Sequence, residues 1–375
     1  MGALRFFLIA GEPSGDRLGA ALMAGLKTLH PDVSFSGIGG PLMQAQGLQS
    51  LFPMEELSIM GLVEVLPKYL HLKRRIREAA AACLACQPAA LITIDSPDFC
   101  LRVAALVKAA KPMQRTIHYV APSVWAWRPG RAAKMAKVID HVLALLPFEP
   151  PYMTAAGMSC DFVGHPVVSE ALATPAEVAL LPAGQGPLIL TLPGSRRGEV
   201  SRLMPVIGET LARLKAVHPT ARVALPTVRG VADLVRSLSA DWPIAPQIIE
   251  DAALKRAAFA TADVAIAASG TVSLELAANG CPMVIAYDMN PLTLWLMRRA
   301  ALIDTVTLVN LVSETRAVPE FIGERCRADL IAAALLDLLQ NPDSQSQAMQ
   351  LTMQRLGQGQ QPPHLRAAAS VLANL

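Results

Sequence analysis

Hydrophobic and polar positions along the chain predict a regular succession of strands and helices. Short, mostly apolar runs alternate with segments of helical periodicity in the first half of the chain, and the same alternation begins afresh in the second half. The strand-like runs lie at residues 4–10, 33–38, 91–94, 116–120, 141–146, 188–192, 222–225, 247–249, 264–267 and 283–286. Strands separated by helical segments of this length favour parallel, doubly wound sheets.

Two series of strands imply two domains. Residues 171–187, rich in Ala, Pro and Gly, separate the series and are the best candidate for a linker. A chain of 375 residues is also long enough to build two separate hydrophobic cores. We therefore expect an α/β protein with two Rossmann-like, doubly wound domains that face a cleft, formed by residues 1–170 and 171–344. Helical periodicity continues in the tail, at residues 328–340, 344–356 and 363–375.

The composition narrows the class of protein. Hydrophobic residues make up 53% of the chain and charged residues 17%, but no run of 18 apolar residues predicts a transmembrane helix. A soluble protein that contacts something apolar fits this composition. The net charge of +3 is too small to favour nucleic acid as a partner. No small-residue cleavage site follows the first apolar run, which predicts a strand rather than a leader.

The cysteines and histidines do not form a pattern typical of metal sites. Cys83 and Cys86 are the only close pair among six cysteines, and no second pair or histidine spacing completes a set of ligands. We expect structural thiols in a reducing cytoplasm, without a metal and without a cofactor. His118 and His165 are isolated in the sequence, and a structural role is favoured for each.

A candidate general base follows the strand-like run at residues 91–94. In an open parallel sheet, ligands bind beyond the carboxyl ends of the strands, where Asp95 lies. If Ser96 is the N-cap of the next helix, Pro97 takes the first helical position and Asp98 interacts with the helix dipole. Asp98 then has a structural task and Asp95 has none. We therefore predict that Asp95 is the base.

A glycine-containing turn at residues 11–16 follows the first strand. Backbone N–H groups around Ser14 and Gly15 could hold an anion or a sugar hydroxyl, although a simple capped turn explains the pattern equally well. The spacing differs from the dinucleotide-binding, P-loop and nucleophile-elbow motifs, which weakens the nucleotide, NTPase and hydrolase interpretations for this half of the chain.

A second turn, in the second half, combines Gly194, Ser195 and Arg196. A helix N-terminus next to a guanidinium is typical of a diphosphate site, and a solvated basic turn is the alternative. This turn follows the strand-like run at residues 188–192.

A similar turn follows residues 264–267. It contains Ser269, Gly270 and Thr271, with Glu275 one helical turn later. Glu275 could accept hydrogen bonds from both hydroxyls of a ribose, or could simply interact with the helix dipole. Taken together, the two turns predict a nucleoside diphosphate bound to the second domain.

One stretch is the densest in aromatic residues in a chain that has few of them. Residues 118–128 include Ser123, Trp125, Trp127 and Arg128. Such a stretch is either a wall of a ligand cleft or a piece of core with a cationic rim. The combination of Pro, Ser, Trp and Arg in one loop favours the cleft.

Residues 59–76 combine aliphatic and basic side chains. An amphipathic basic segment can lie at a membrane interface, and a core helix with a solvated basic face is the alternative. The candidate membrane-associating residues are Met60, Leu62, Val63, Val65, Leu66 and Leu70.

Long motifs in order along the chain resemble the lipid-A-disaccharide synthase family of inverting glycosyltransferases. They are AGEPSGD (10–16), MGLVEVL (60–66), IDSPDF (94–99), HYVAPSVWAWR (118–128), LPFE (146–149), VGHP (163–166), LPGSR (192–196), ASGTVSLE (268–275) and CPMVIAY (281–287). The resemblance implies a glycosyltransferase B-type fold and a metal-independent transfer. The substrates would be UDP-2,3-diacylglucosamine and 2,3-diacylglucosamine 1-phosphate, joined by a β-1,6 bond with release of UDP.

The resemblance also implies roles for individual residues. It assigns the general base to Asp95, nucleotide contacts to Arg196, Glu275 and Asn310, and a place near the sugar to Ser14. Val309 stands where the family usually has Pro before that Asn. The final helices, about residues 345–375, would pack back on the first domain.

The family further implies a cytoplasmic enzyme attached peripherally to the inner face of the bacterial inner membrane, and a possible homodimer. Two rival functions stay open. One is a sugar-nucleotide epimerase of the same architecture, and the other is a non-catalytic lipid- or nucleotide-binding protein.

Overall fold

The computed structural model describes residues 4–57, 62–182 and 184–375. The chain forms two compact units. Unit 1 comprises Met1–Pro166 and Gly359–Leu375, and unit 2 comprises Val167–Gln358. The expected domains ended at residues 170 and 344, so the units differ from them at 167–170 and at 345–358. Thr352 donates to the backbone oxygen of Val309, which explains why that part of the tail belongs to unit 2.

Unit 1 is built on a seven-stranded, entirely parallel sheet. Its order is β3-β2-β1-β4-β5-β6-β7. The strands are β1 (Leu4–Ala10), β2 (Val33–Ile38), β3 (Gln49–Ser50), β4 (Ala90–Ile94), β5 (Arg115–Tyr119), β6 (His141–Ala144) and β7 (Ser159–Phe162). The hydrophobic pattern predicted all but β3 and β7, which are short strands towards the two edges of the sheet.

Unit 2 is built on a six-stranded parallel sheet with the order β10-β9-β8-β11-β12-β13. The strands are β8 (Leu188–Leu192), β9 (Arg222–Pro226), β10 (Pro246–Ile249), β11 (Val264–Ala267), β12 (Met283–Tyr287) and β13 (Glu320–Ile322). Every residue of β4 and of β8 is buried, as expected for strands covered on both faces of a parallel sheet. The predicted fold class, two doubly wound α/β sheets, is confirmed.

Helices connect the strands in both units. Those in the first segment of unit 1 are α1 (Pro13–Leu29), α2 (Pro41–Ala45), α3 (Leu62–Cys86), α4 (Pro97–Ala110), α5 (Gly130–Met135) and α6 (Pro150–Ala155). Those of unit 2 are α7 (Pro175–Val178), α8 (Arg197–Val217), α9 (Ala232–Ser239), α10 (Ala252–Thr261), α11 (Val272–Ala278), α12 (Pro291–Ala300), α13 (Leu308–Ser313), α14 (Ala328–Gln340) and α15 (Ser346–Arg355). The last helix, α16 (Pro363–Ala373), returns to unit 1. In the described residues, no helix combines the length and the apolar character needed to cross a membrane.

The core of unit 1 lies on both faces of its sheet. Phe7 and Ile9 of β1 belong to one cluster of buried residues, and Phe6 and Leu8 belong to the other. This alternation follows from the period of two along a strand. Helix α16 packs closely on α1, because a side chain added at Gly25 would lie 2.4 Å from the backbone oxygen of His364.

Each sheet contains one point at which the strand order reverses. In unit 1 this point lies between β1 and β4, and in unit 2 it lies between β8 and β11. In open α/β sheets, ligands bind beyond the carboxyl ends of the strands at such a switch point. We therefore expect ligand-binding residues in the loops that follow these four strands.

Candidate functional site

The loops at the switch point of unit 1 are in contact. Ala10 at the end of β1 is paired with Ile94 at the end of β4, so the two loops begin side by side. Gly11 is buried against Ser96, and a side chain added at Gly11 would lie 2.7 Å from the Ser96 hydroxyl oxygen. Only glycine therefore lets the two loops approach so closely.

Asp95 lies on a strained turn directly after β4. Its φ is +50° and that of Ser96 is +44°. L-residues rarely occupy this left-handed region, which costs about 1–2 kcal/mol per residue, and such strain is concentrated at functional sites. The backbone N–H of Asp95 donates to the oxygen of Tyr119 at 3.0 Å. Within the described part of the chain, no hydrogen-bond donor is recorded for the Asp95 carboxylate.

The expected helix cap at Ser96 is partly wrong. Helix α4 does begin at Pro97, and Asp98 lies exposed in its first turn. Ser96, however, makes no capping hydrogen bond, and its hydroxyl is buried without a partner among the described residues. The left-handed backbone is the reason, because it places the hydroxyl oxygen against Gly11 instead of over the first turn of α4.

The turn predicted at residues 11–16 is shorter than expected, because α1 already begins at Pro13. Proline is favoured at the first position of a helix. Ser14 is exposed in this first turn, while Gly15 is buried, and a side chain added at Gly15 would lie 3.4 Å from the backbone oxygen of Ile94. The structure thus keeps Ser14 accessible at the switch point, where a sugar could contact it.

Asp16, which the sequence analysis overlooked, holds two loops of unit 1 together. Its buried carboxylate accepts backbone N–H groups from Gly40, Leu42 and Met43 at 2.9–3.0 Å. These donors lie at the start of α2, where N–H groups have no partner within the helix. The sequence signal was a lone acid followed, one strand later, by Gly-Gly-Pro at a helix start.

The aromatic stretch after β5 is anchored by a buried acid. The Trp125 indole N–H donates to Glu149 at 3.2 Å, and the backbone N–H groups of Leu145 and Leu146 donate to the same carboxylate. Burial raises the pKa of Glu149 to about 7. Trp125 also packs edge-on against Phe148, with ring centroids 5.0 Å apart. Trp125 therefore fixes the loop and is not its exposed face.

His118, the first residue of the same stretch, has a structural role, as expected. Its Nδ1 lies 2.7 Å from the Thr93 hydroxyl, and burial lowers the pKa of its imidazole to about 4. Burial likewise lowers the pKa of His165 to about 4. Both side chains are therefore neutral at physiological pH.

The other half of the aromatic stretch reaches the surface. Ser123 is exposed, and two guanidinium groups lie over the ring of Trp127: that of Arg128 at 4.2 Å and that of Arg131 at 5.1 Å. Arg128 has a φ of +53°, and Val120 at the start of the stretch has a φ of +85°, which is a marked outlier for a β-branched residue.

A cavity of about 550 Å³ lies beside this stretch. It is lined by Pro97, Asp98, Leu101, Pro122, Arg128, Gly130, Arg131, Lys134 and Met135. Arg128 is thus brought to a cavity wall together with the start of α4, whereas Ser123 and Trp127 do not line it.

In unit 2, a pocket of about 400 Å³ lies at the switch point. Seven of the eight predicted nucleotide contacts line it together. The lining residues are Leu192, Gly194, Ser195, Arg196, Glu199, Pro226, Thr227, Val228, Lys255, Phe259, Ala268, Ser269, Gly270, Thr271, Val272 and Glu275. The carboxyl ends of β8 and β11, which are neighbours in the sheet, bring the two predicted turns to one place.

The first of these turns is shaped by Gly194, whose φ is +105°. A side chain there would lie 2.6 Å from a carboxylate oxygen of Glu199. Glu199 also accepts from the Arg196 guanidinium at 3.0 Å, which holds this cation at the N-terminus of α8. A guanidinium next to the free N–H groups of a 21-residue helix is suited to bind phosphate oxygens.

Lys255 and Thr227 also line this pocket, although no sequence motif predicted them. The Lys255 ammonium lies 2.6 Å from a carboxylate oxygen of Glu275, which orients the acid. The Thr227 hydroxyl is buried without a partner among the described residues, at the end of β9. Their signal is weak in the sequence, because both positions reach the pocket only through the folding of β9 and α10.

Asn310 is the predicted nucleotide contact that does not line the pocket. It is buried, and its amide nitrogen donates to Thr305 at 3.2 Å and to the oxygen of Val318 at 2.9 Å. Its amide oxygen accepts the N–H of Val318 at 3.0 Å. Asn310 is therefore occupied within unit 2, where it holds residues 305–318 together.

The candidate membrane-associating segment is only partly described. Met60 lies outside the described residues. Leu62, Val63, Val65 and Leu66 belong to α3, but their side chains also lie outside the described part. Leu70, further along the same helix, is 78% exposed.

Comparison with known proteins adds to this geometry. The model of the family described as lipid-A-disaccharide synthetase matches residues 6–374. The chain belongs to this family. A lipid-A-disaccharide synthase of Ruegeria pomeroyi is 63% identical to it, over 99% of this chain and 96% of the relative. One of Rhodospirillum centenum is 47% identical, over 99% of this chain and 95% of the relative.

Solved structures share the fold of this lipid-A-disaccharide synthetase family member. A UDP-GlcNAc 2-epimerase of Neisseria meningitidis, bound to UDP-GlcNAc, superimposes with a TM-score of 0.65 at 12% identity and covers 100% of this chain and 98% of its own. A glycosyltransferase of Rickettsia africae gives a TM-score of 0.61 at 12% identity, covering 99% and 97%. At such low identity the likeness concerns the fold alone, which is of the glycosyltransferase B type, as predicted.

Proposed function

We propose that this protein is a lipid-A-disaccharide synthase. It transfers 2,3-diacylglucosamine from its UDP donor to the 6-hydroxyl of 2,3-diacylglucosamine 1-phosphate, with inversion at the anomeric carbon. The observation that carries this proposal is the family match over residues 6–374, supported by relatives of the same name at up to 63% identity. Two independent features of the fold support it: a carboxylate that receives no hydrogen bond from the described residues at one switch point, and a phosphate-suited pocket at the other.

Asp95 is the proposed general base. The acceptor 6-oxygen attacks the anomeric carbon of the donor as Asp95 takes the hydroxyl proton. A C–O bond forms to the acceptor, and the bond from the anomeric carbon to UDP breaks with its electron pair passing to the diphosphate. General-base assistance of this kind is typically worth about 10²–10⁴ in rate. The strained turn supports the assignment, since it holds Asp95 at the switch point, where the described residues offer its carboxylate no hydrogen-bond donor.

The pocket of unit 2 is the proposed site of UDP. The Arg196 guanidinium and the N–H groups at the start of α8 would stabilise the charge that develops on the departing diphosphate, and no metal takes part in this proposal. Ser269 and Thr271, in the turn after β11, line the same pocket. Glu275, oriented by Lys255, is suited to accept from the ribose hydroxyls.

An assay with both acylated sugars tests the function. The purified protein should release UDP only when donor and acceptor are present together, and the product should be a β-1,6-linked disaccharide by mass spectrometry and NMR. The rival functions predict other results. An epimerase would convert UDP-GlcNAc without any acceptor, and a binding protein would bind UDP without releasing a disaccharide.

We further propose that the protein works at the cytoplasmic face of the bacterial inner membrane, to which it attaches peripherally. Both substrates carry acyl chains. Helix α12 supports the proposal, because Trp295 and Leu296 on it are 50% and 54% exposed and Arg299 stacks over the Trp295 ring at 4.2 Å. Aromatic and aliphatic side chains beside arginines are typical of segments that lie at a membrane interface. Leu70 of α3 is a second exposed apolar residue in a basic helix.

Replacement of Leu70 or Leu296 by Ser should lower partitioning onto vesicles that contain anionic phospholipid by roughly tenfold each, because a leucine side chain is no longer buried in the lipid. Sedimentation with vesicles measures this. The control is Leu172→Ser, which removes a leucine of similar exposure, 55%, outside both helices. An equal loss for all three variants, or none, would contradict the assignment of these surfaces.

A further inference from the structure

The cavity of about 550 Å³ in unit 1 is positively charged. Its wall carries three cations, Arg128, Arg131 and Lys134, and one carboxylate, Asp98, so that its net charge is +2. Within the part of the chain that the structure describes, none of the three cations is recorded in an ion pair. We call this cavity, with these four charged residues, the cationic cavity.

Two cations of the cavity wall share one aromatic neighbour. The Arg128 and Arg131 guanidiniums lie 4.2 Å and 5.1 Å from the same Trp127 ring centroid, so two like charges are held near each other. Arg128 is also held in a left-handed backbone conformation, with a φ of +53°. A ligand of opposite charge is attracted by both guanidiniums. Strain of this kind is typical of ligand-binding sites.

The cavity suits a sugar phosphate better than a simple ion. A phosphate monoester carries a charge of about −1.5 to −2 at neutral pH, which balances the charge of the wall. One guanidinium can donate to two phosphate oxygens at once. Its volume is typical of sites for small molecules, which occupy about 300–1,000 Å³. Leu101, Pro122 and Met135 form an apolar part of the wall, where a sugar ring can pack. Asp98 can accept from a sugar hydroxyl or amide.

We propose that the cationic cavity binds the anomeric phosphate of the acceptor and thereby aligns the acceptor 6-hydroxyl with Asp95. This rests on the proposed function. Pro97 lines the cavity and is two residues after Asp95, on the same turn. In a glucosamine 1-phosphate, the carbons that bear the phosphate and the 6-hydroxymethyl group both adjoin the ring oxygen. A phosphate held in the cavity therefore leaves the 6-hydroxyl about one sugar ring away from it.

The cavity would also determine specificity. The acceptor carries a free phosphate monoester, whereas the corresponding position of the donor is occupied by UDP. A site that matches a monoester dianion selects the acceptor and disfavours a second donor molecule in its place. Selection of this kind arises because an incorrect ligand leaves the cations of the wall without a partner.

Kinetics with two acceptors test the proposal. The acceptors are 2,3-diacylglucosamine 1-phosphate and the same sugar with a methoxy group in place of the phosphate. For Arg131→Gln and for Lys134→Gln, KM for the phosphate acceptor should rise about 10- to 100-fold, as expected for the loss of a hydrogen bond to a charged group. KM for the methyl glycoside should be equally poor in both variants and in the unmodified enzyme. The matched control is Lys137→Gln, an exposed lysine that does not line the cavity.

Binding of soluble glucosamine 1-phosphate, measured by calorimetry or NMR, gives a second readout that needs no turnover. The unmodified protein and Lys137→Gln should bind it, and the two cavity variants should bind it at least tenfold more weakly. Equal binding by all proteins, or an equal loss of rate with both acceptors, would overturn the proposal. So would variants that lose only vesicle binding, because the cations would then contact a lipid headgroup. If the unmodified enzyme transfers to neither acceptor but binds glucosamine 1-phosphate through the cavity, the proposed function fails and the phosphate site stands.

Discussion

Asp95→Asn is expected to lower kcat by about 10²–10⁴, because the amide cannot take the proton of the acceptor hydroxyl. The affinity for UDP should be unchanged, since UDP is proposed to bind in the other unit. Initial rates of UDP release with both acylated sugars, together with calorimetric titration of UDP, measure the two quantities. The substitution conserves shape, so the strained turn at residues 95–96 should persist.

Asp98→Asn is the comparison that decides between the two carboxylates of this segment. Asp98 lies on the same segment, three residues later, but is exposed in the first turn of α4. Loss of its charge removes only a helix-dipole interaction, worth about 0.3–1 kcal/mol, and a wall charge of the cationic cavity. We expect kcat to change several-fold at most. Normal turnover by Asp95→Asn, or a collapse of turnover in Asp98→Asn alone, would move the general base to another residue.

Asp16→Ala should lower the free energy of unfolding of unit 1 by roughly 3 kcal/mol, because two buried N–H groups and one partly buried N–H group lose a charged acceptor. That is a large part of the stability of a typical domain, which is about 5–15 kcal/mol. Urea unfolding followed by circular dichroism measures the change. Transfer activity should also fall, since the same helix α1 carries Ser14 at the switch point.

Asp32→Ala serves as the control for this stability measurement, since Asp32 is an exposed aspartate of unit 1 between α1 and β2. Its replacement should change the free energy of unfolding by less than about 0.5 kcal/mol. If the two variants unfolded at the same urea concentration, the Asp16 carboxylate would not be the residue that connects the two loops.

Several elements follow directly from local sequence patterns. The strands at 4–10, 33–38, 188–192 and 264–267 have the bounds that their runs of apolar residues predicted. The predicted start of α1 was less accurate, because residues 11–16 were interpreted as a turn. The helix begins within them, at Pro13. A proline at the first helical position was a readable signal there, since proline lacks the N–H that a helix start leaves unpaired.

Local patterns do not show which side chains share a partner. Asp16 and Gly40 are 24 positions apart and meet only because β1 and β2 are neighbours in the sheet. Lys255 reaches Glu275 for the same kind of reason, through α10. Asn310 illustrates the reverse case: it matched a family motif, yet its amide is occupied by Thr305 and Val318.

The sequence by itself determined the α/β alternation, the presence of two domains and the family, and it led to the prediction of Asp95 rather than Asp98 as the base. These properties depend on periodicity, helix-start chemistry and motif order, all of which are local along the chain. The tertiary structure alone decided that seven predicted contacts line one pocket, that Ser96 makes no cap, and that Arg128, Arg131 and Lys134 line one cavity. The physical reason is that parallel strands place their carboxyl ends at one edge, so residues far apart in sequence become neighbours only after the sheet has formed.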